Sequence, residues 1–318
     1  MPLHSKAGET LLSLVMIRPY GTVIFIVFFA LSGCRQVADF RFIKVMGSDS
    51  EVNLVLSMAE KYMQRDSLAS IGIIGGGSGM GIASLINQRA QLANSSRELT
   101  EKETNLLKEK NIEILRLVFA LDAIAFVVHK DHPLDTITLS QVSELYQGNI
   151  RDWSEISRQQ GPVRLYGRQS NSGTYLYLRD QIVKAEYHNS LLGLNGNAQI
   201  LEAIRQDVSG IGYVSVGYLE GKSASEKQIK VLMVKNEENG NCYSPLSQED
   251  LKAGLYPVQR PLLQFLALPA SDLALDFVQF ELSAEGQDMI RKNGYLPLDT
   301  LTHQQMLKAL TKARQHEG

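Results

Sequence analysis

Residues 71–88 read Ile71-Gly-Ile-Ile74, then Gly75-Gly-Gly-Ser-Gly-Met-Gly81, then a run ending at Gln88. The first four residues form a short apolar run stopped by glycines, which is a strand signal. Met80 to Gln88 carries helical spacing. A strand, a turn of small residues and a helix make one unit of an alternating α/β fold, and the same unit recurs on both sides. Upstream, Phe42–Val45 reads as a strand and Glu51–Arg65 as a helix, with Val52, Val55, Leu56, Ala59, Tyr62 and Met63 on one face. Downstream, Leu92-Ala93 reads as a strand and Thr100–Lys110 as a helix. Strand and helix alternating in this order imply right-handed crossovers and a parallel sheet.

A second unit begins near Leu117. Its strands are Ala123–Val128, Val163–Tyr166 and Ile211–Ser215. Its helices are Leu139–Gln147, begun by Ser140 and stopped by Gly148, then Gly173–Ala185 and Asn197–Gln206. After Gly217 the chain is expected to return, so that Val231–Val234, Leu262–Leu268, Ala274–Leu282 and Ala284–Lys292 complete the first lobe. Leu301–Arg314 reads as a terminal amphipathic helix.

The chain has 318 residues, 32 Lys+Arg against 34 Asp+Glu, a net charge of -2, 44% hydrophobic and 21% charged residues. That balance excludes disorder, collagen and a polytopic membrane protein, and near-neutrality argues against bulk nucleic-acid binding. The length suffices for two lobes. Cys34 and Cys242 are too few for a disulfide framework or a zinc cluster. His129 and His132 are three apart without a third ligand nearby, so no metal is expected.

Val23–Leu31 is the only long uncharged apolar run. It is too short to span a bilayer, which needs roughly 20 residues. Behind Arg18 and ahead of small residues it reads as a signal peptide, and Leu31-Ser-Gly-Cys34 resembles the bacterial lipobox, with Cys34 receiving the lipid. Met16-Ile-Arg18 gives a compact signal by itself, so residues 1–15 are expected to precede the true start. The mature chain is expected in the cell envelope, facing the periplasm or the exterior and held to a membrane by acyl chains on Cys34. Cys242 is then left as a free thiol.

Each of three strand-to-helix loops is rich in small donors. Gly47-Ser-Asp-Ser50 brings Ser48, Asp49 and Ser50; Gly75–Gly81 brings Ser78 and Gly79; Arg168-Gln-Ser-Asn-Ser-Gly-Thr174 brings Arg168, Ser172, Gly173 and Thr174. A fourth, Asn94-Ser-Ser-Arg97, adds Ser95, Ser96 and Arg97, the last reading equally as an anion contact or as a brace for the neighbouring loop. In an open α/β sheet ligands bind at the carboxyl ends of strands, where helix N-termini leave amides without partners and favour an anion. An arginine fork suits a tetrahedral oxyanion. Singly, each serine reads as a helix cap; in combination the loops read as an anion site. Gly75–Gly81 has neither the spacing of a dinucleotide fingerprint nor the lysine of a P-loop. Met80 breaks a Gly-x-Ser-x-Gly elbow.

These loops, with Leu145-Tyr-Gln-Gly-Asn-Ile-Arg-Asp-Trp153, Gly210-Ile-Gly-Tyr213 and Gly294-Tyr-Leu-Pro-Leu298, resemble the PstS family of phosphate-binding proteins of ABC importers, from about Ile43 to Leu298. The resemblance implies a two-lobe type 2 periplasmic-binding-protein fold, α/β, each lobe a mixed, mostly parallel sheet flanked by helices and joined to the other by a two-strand hinge. The expected division is a signal at 1–33, lobe I at 34–117 and 218–300, lobe II at 118–217 and a helical tail at 301–318. Phosphate ligands are implied at Asp49, Ser50, Ser78, Ser96, Arg168, Ser172, Gly173 and Thr174. Permease subunits in the inner membrane are the implied partner, the chain a monomer, with no cofactor and no catalysis.

The chain departs from the family pattern in two places. An aspartate of the third-strand loop is replaced by Ser96, and one that orients the arginine is replaced by Ser170. Asp49 stands where the family has a hydroxyl, and the proton acceptor is expected to have moved there. Receptors for sulfate, molybdate or tungstate, a phosphate sensor, and a phosphatase using Ser78 or Ser172 are the competing readings. No histidine lies in the loops to serve the last as base.

Overall fold

The computed structural model describes residues 40–219 and 228–315. The expected signal and Cys34 lie outside the described residues. Strand β1 (Arg41–Gly47) leads through a 3-10 turn at Asp49–Glu51 into α1 (Val52–Met63); β2 (Ala69–Gly75), α2 (Ser78–Ile86), β3 (Leu92–Ser95), α3 (Glu101–Glu109) and the long β4 (Glu113–His129) follow. Then come β5 (Thr136–Ile137), α4 (Leu139–Gln147), β6 (Arg164–Arg168), α5 (Gly173–Leu178, continued by a π turn to Val183), β7 (Leu192–Leu194), α6 (Asn197–Gln206) and β8 (Gly210–Ser215). The chain closes with β9 (Ile229–Val231), β10 (Met233–Lys235), β11 (Cys242–Tyr243), α7 (Gln248–Lys252), β12 (Gln259–Leu268), α8 (Asp272–Glu281), α9 (Ala284–Lys292) and α10 (Thr300–Gln315).

Among the described residues one nine-stranded sheet runs in the order β2-β1-β3-β12-β4-β8-β6-β7, with β9 also on β4. β1 is parallel to β2 and β3, and β6 is parallel to β7 and β8. β12 is antiparallel to β3 and β4. β4 serves two partners in succession: its residues 113–123 pair with β12 and its residues 124–128 with β8. The two strand groups therefore meet along β4. A core around Ile43, Leu54, Leu117, Leu262 and Phe277 sits on one side of that junction, and a core around Phe126, Tyr146, Trp153, Tyr213 and Tyr256 on the other.

The structure corrects three local expectations. Glu113–Ala120 belongs to β4, although its charged residues Glu113 and Arg116 interrupt the apolar run that marks the other half. Val231–Val234 does not rejoin the first core: β9 pairs with Val127–His129, and Leu232 and Val234 pack with Phe126 and Trp153. The chain returns only at β12, whose Leu262 and Leu266 enter the first core. Helix α4 is capped by Thr138, whose side chain accepts from the Gln141 amide while Gln141 reciprocates; the Ser140 hydroxyl bonds Glu237 instead. Gly148 ends that helix in a left-handed conformation, as expected. In α10, Leu310 and Ala313 are buried against the first core. Cys242 is free and exposed. No helix among the described residues is long and apolar enough to cross a membrane.

Candidate anion site

The carboxyl ends of β1, β2, β3 and β6 deliver the four loops to one place. Gly47 closes β1 at φ +144, and a Cβ there would lie 2.1 Å from the Asn94 carbonyl, so only glycine lets the ends of β1 and β3 meet this closely. The Ser48 amide donates to that carbonyl at 2.9 Å. The Ser48 hydroxyl is 3.2 Å from Ser96 Oγ, which is 3.4 Å from Ser78 Oγ. Ser78 Oγ also accepts from the Ser96 amide at 3.1 Å. Ser50 Oγ meets Thr174 Oγ1 at 3.1 Å, and the Ser50 amide donates to Ser48 Oγ at 3.3 Å. Ser172 caps α5 by accepting from the Thr174 amide at 3.2 Å. Gly173 packs on Ser78 and Ser96 so tightly that a Cβ would come within 2.4 and 2.5 Å of their hydroxyls. Ser48, Ser50, Ser78, Ser96, Ser172 and Thr174 are all buried. Loops on the two sides of the β4 junction thus bring hydroxyls into one desolvated cluster.

Asp49 and Arg168 form the adjoining pair. Asp49 Oδ2 accepts from Arg168 Nη1 at 3.2 Å, from the Asn197 amide at 2.8 Å and from Asn197 Nδ2 at 2.6 Å. It therefore caps α6 across the cluster and not its own helix, whose entry Ser48 caps. Burial pulls the Arg168 guanidinium below its ordinary value, and the charge of Asp49 opposes that pull. The remaining Arg168 nitrogens reach the Asn195 carbonyl and Gln169.

Three expected site residues are engaged elsewhere. Arg97 makes two bonds to Glu103, at 2.7 and 2.8 Å, bracing the start of α3. The Ser95 hydroxyl closes a turn on the Arg97 backbone. The Gly79 amide donates to the Asn171 carbonyl at 3.0 Å, tying the second loop to the loop before Ser172.

Two residues of the site escaped sequence reading. Arg260 of β12 is 2% exposed and reaches Ser50 Oγ at 2.9 Å and Thr174 Oγ1 at 3.0 Å. The signal was present: a charge directly ahead of the apolar run Pro261-Leu-Leu263 of a buried strand is costly unless it is paired. Its partner, Asp122, interrupts the apolar run of β4. Among the described residues no imidazole bonds any of the clustered hydroxyls.

The sequence profile of the PBP superfamily domain matches residues 21–285. The chain belongs to the PBP superfamily. Its curated relatives include the phosphate-binding protein PstS of Pseudomonas aeruginosa, 28% identical over 283 residues, covering 83% of this chain and 85% of the relative. The PstS of Borreliella burgdorferi is 23% identical, covering 85% and 95%. Both are binding proteins, not enzymes. A Clostridium perfringens ABC-transporter substrate-binding protein solved with bound phosphate superposes with a TM-score of 0.71 at 25% identity, over 81% of this chain and all of that one. An ABC-type phosphate transport receptor from Vibrio cholerae superposes at 0.62 with 22% identity, over 80% of this chain. The architecture of this PBP-superfamily chain is the type 2 periplasmic-binding-protein fold, with β4 running through both strand groups.

Proposed function

We propose that this chain captures inorganic phosphate outside the cytoplasm and hands it to an ABC importer, anchored through lipid on Cys34. The convergence of buried hydroxyls from four loops, on both sides of the β4 junction, carries this reading. A dehydrated nest of hydroxyl donors with arginines beside it suits a tetrahedral dianion, and the relatives named above are phosphate binders. Closure of the lobes around the anion and opening at the permease would make the transport cycle.

Asp49 supplies the selectivity in this reading. It takes over, from the opposite lobe, the bracing of Arg168 that position 170 no longer gives. Its carboxylate at the cluster edge accepts the proton that phosphate retains near neutral pH and sulfate lacks. Facing sulfate, it would meet only lone pairs and negative charge, an uncompensated contact costing on the order of 1–3 kcal/mol or more.

Calorimetry of the purified chain with phosphate and then sulfate tests the function; a wild-type protein that binds sulfate as tightly as phosphate would sink it. Asp49→Asn is expected to lower the phosphate-to-sulfate affinity ratio by about tenfold or more. If both affinities fall together and the ratio holds, Asp49 only braces Arg168.

A further inference from the structure

We propose that Arg260 is a second guanidinium of the anion site and the one in direct reach of the hydroxyl cluster, held there by Asp122; this rests on the phosphate reading above. The register of two strands sets its position. Arg260 of β12 lies directly opposite Asp122 of β4, beside the point where β4 passes from β12 to β8. The two side chains are 1% and 0% exposed. Asp122 Oδ2 accepts from Arg260 Nη2 at 2.9 Å and from Nε at 3.2 Å, while Oδ1 accepts from the Ser215 hydroxyl at 2.6 Å. With the carboxylate satisfied on both oxygens, the fork is fixed in one orientation.

That orientation serves both lobes. Nη2 donates toward Ser50 Oγ, from the first loop, and toward Thr174 Oγ1, from the third, and Nη1 lies 3.4 Å from the Ser96 carbonyl. Arginine only donates. A serine or threonine hydroxyl that accepts from it must aim its own hydrogen elsewhere, and the open direction is the cluster. The two hydroxyls also lie 3.1 Å apart, so one donates to the other, and Nη2 shares its two hydrogens among Asp122, Ser50 and Thr174; Arg260 therefore leaves one hydroxyl of the pair aimed into the cluster as a donor before an anion arrives. Once an anion sits beside them, the guanidinium charge acts where water is excluded, and Nη1, held only by the 3.4 Å contact to the Ser96 carbonyl, is the nitrogen with a hydrogen to give it. Arg168 is placed differently, with all three guanidinium nitrogens facing Asp49, Asn195 and Gln169.

Removing Arg260 alone would strand Asp122 as a buried, unpaired charge and can unfold the protein. The decisive variant is therefore Arg260→Met combined with Asp122→Asn, compared with Arg260→Lys and with wild type. Phosphate affinity is read by calorimetry, and folding by a phosphate-free thermal melt. The double variant is expected to melt near wild type and to lose at least about 30-fold in affinity, and Arg260→Lys, which keeps charge but not the fork, about tenfold. A folded double variant within about threefold of wild type overturns the proposal. Should the double variant not fold, an Arg260→Lys protein with wild-type affinity overturns it. A wild type that binds no phosphate overturns the phosphate reading and this one with it, a result distinct from the other two.

Discussion

Gly173→Ala is expected to weaken phosphate capture by about 100-fold while leaving each lobe folded. A Cβ on Gly173 would sit 2.4 Å from Ser78 Oγ and 2.5 Å from Ser96 Oγ, distances at which something must move. Both hydroxyls are buried; Ser78 opens α2 and Ser96 follows directly on β3, in the opposite lobe. Gly173 itself opens α5 without an unusual backbone angle, so alanine is compatible with its own helix. The collision thus falls on the interface between lobes. Overpacking of this kind costs roughly 1–3 kcal/mol, and here it also displaces the donors an anion needs. A fall in affinity of about 100-fold follows, equivalent to about 2.7 kcal/mol. The check is calorimetry together with melts in the presence and absence of phosphate. The phosphate-free melting temperature should stay near wild type and the phosphate-induced rise should vanish. A variant that retains the rise would show that the lobes do not close through Gly173.

The same glycine marks how far the sequence could be read. Ser172, Gly173 and Thr174 were legible because a capped helix start with a glycine after the cap is a local signal, and their meeting with Ser78 and Ser96 followed from the alternation of strand and helix. Helix α6, Asn197–Gln206, was legible for the same reason: its apolar positions repeat at helical spacing. What escaped is non-local. Arg260 and Asp122 lie 138 residues apart, and only the β4–β12 register puts them together. Asp49 was legible as a charge in a loop of hydroxyls, but its partner Asn197 lies 148 residues away. Arg97 was legible only as a choice between facing the anion and bracing the neighbouring loop, because an arginine beside two serines fits an anion as well as it fits Glu103; the second holds. The β9 strand was misplaced because an apolar run does not say which sheet it joins, and β4 offers an edge to both.

Stability in the absence of phosphate is expected to fall as pH rises, most clearly between about pH 6.5 and 8.5. Glu51 and Glu281 are both 0% exposed, and burial pushes each carboxyl up to about 8. Burial of Glu51 is opposed first by the Ser48 hydroxyl beside it; among the described residues Glu281 Oε2 has no hydrogen-bond partner, and Glu281 Oε1 accepts from Gln264 Nε2 at 3.0 Å. The charges acting on Glu51 are Arg260, which favours its ionised form, and Asp122, which opposes it; the charge of Glu51 in turn raises Glu281. An unfolded carboxyl titrates near 4.5. The folded state therefore holds protons that the unfolded state has lost, and linkage makes stability decline with pH across that window. The contribution is fully present below about 4.5 and gone once pH has passed through about 8. His132 runs the other way, lowered to about 4 by burial and by Lys230, so its effect is spent by about pH 6.5. One pKa unit is worth about 1.4 kcal/mol, and each kcal/mol moves the melting temperature by roughly 2–4 °C at this size. The two carboxyls together give up about 4 kcal/mol over this span, so a drop of roughly 8–16 °C between pH 6.5 and 8.5 is expected in wild type. Glu281→Gln, which keeps an acceptor for Gln264, and Glu51→Gln should each flatten the slope, and the two together should nearly remove it. A wild-type melting temperature that holds steady or climbs across this range would mean that both carboxyls ionise inside the fold, and that something other than their own protons compensates them.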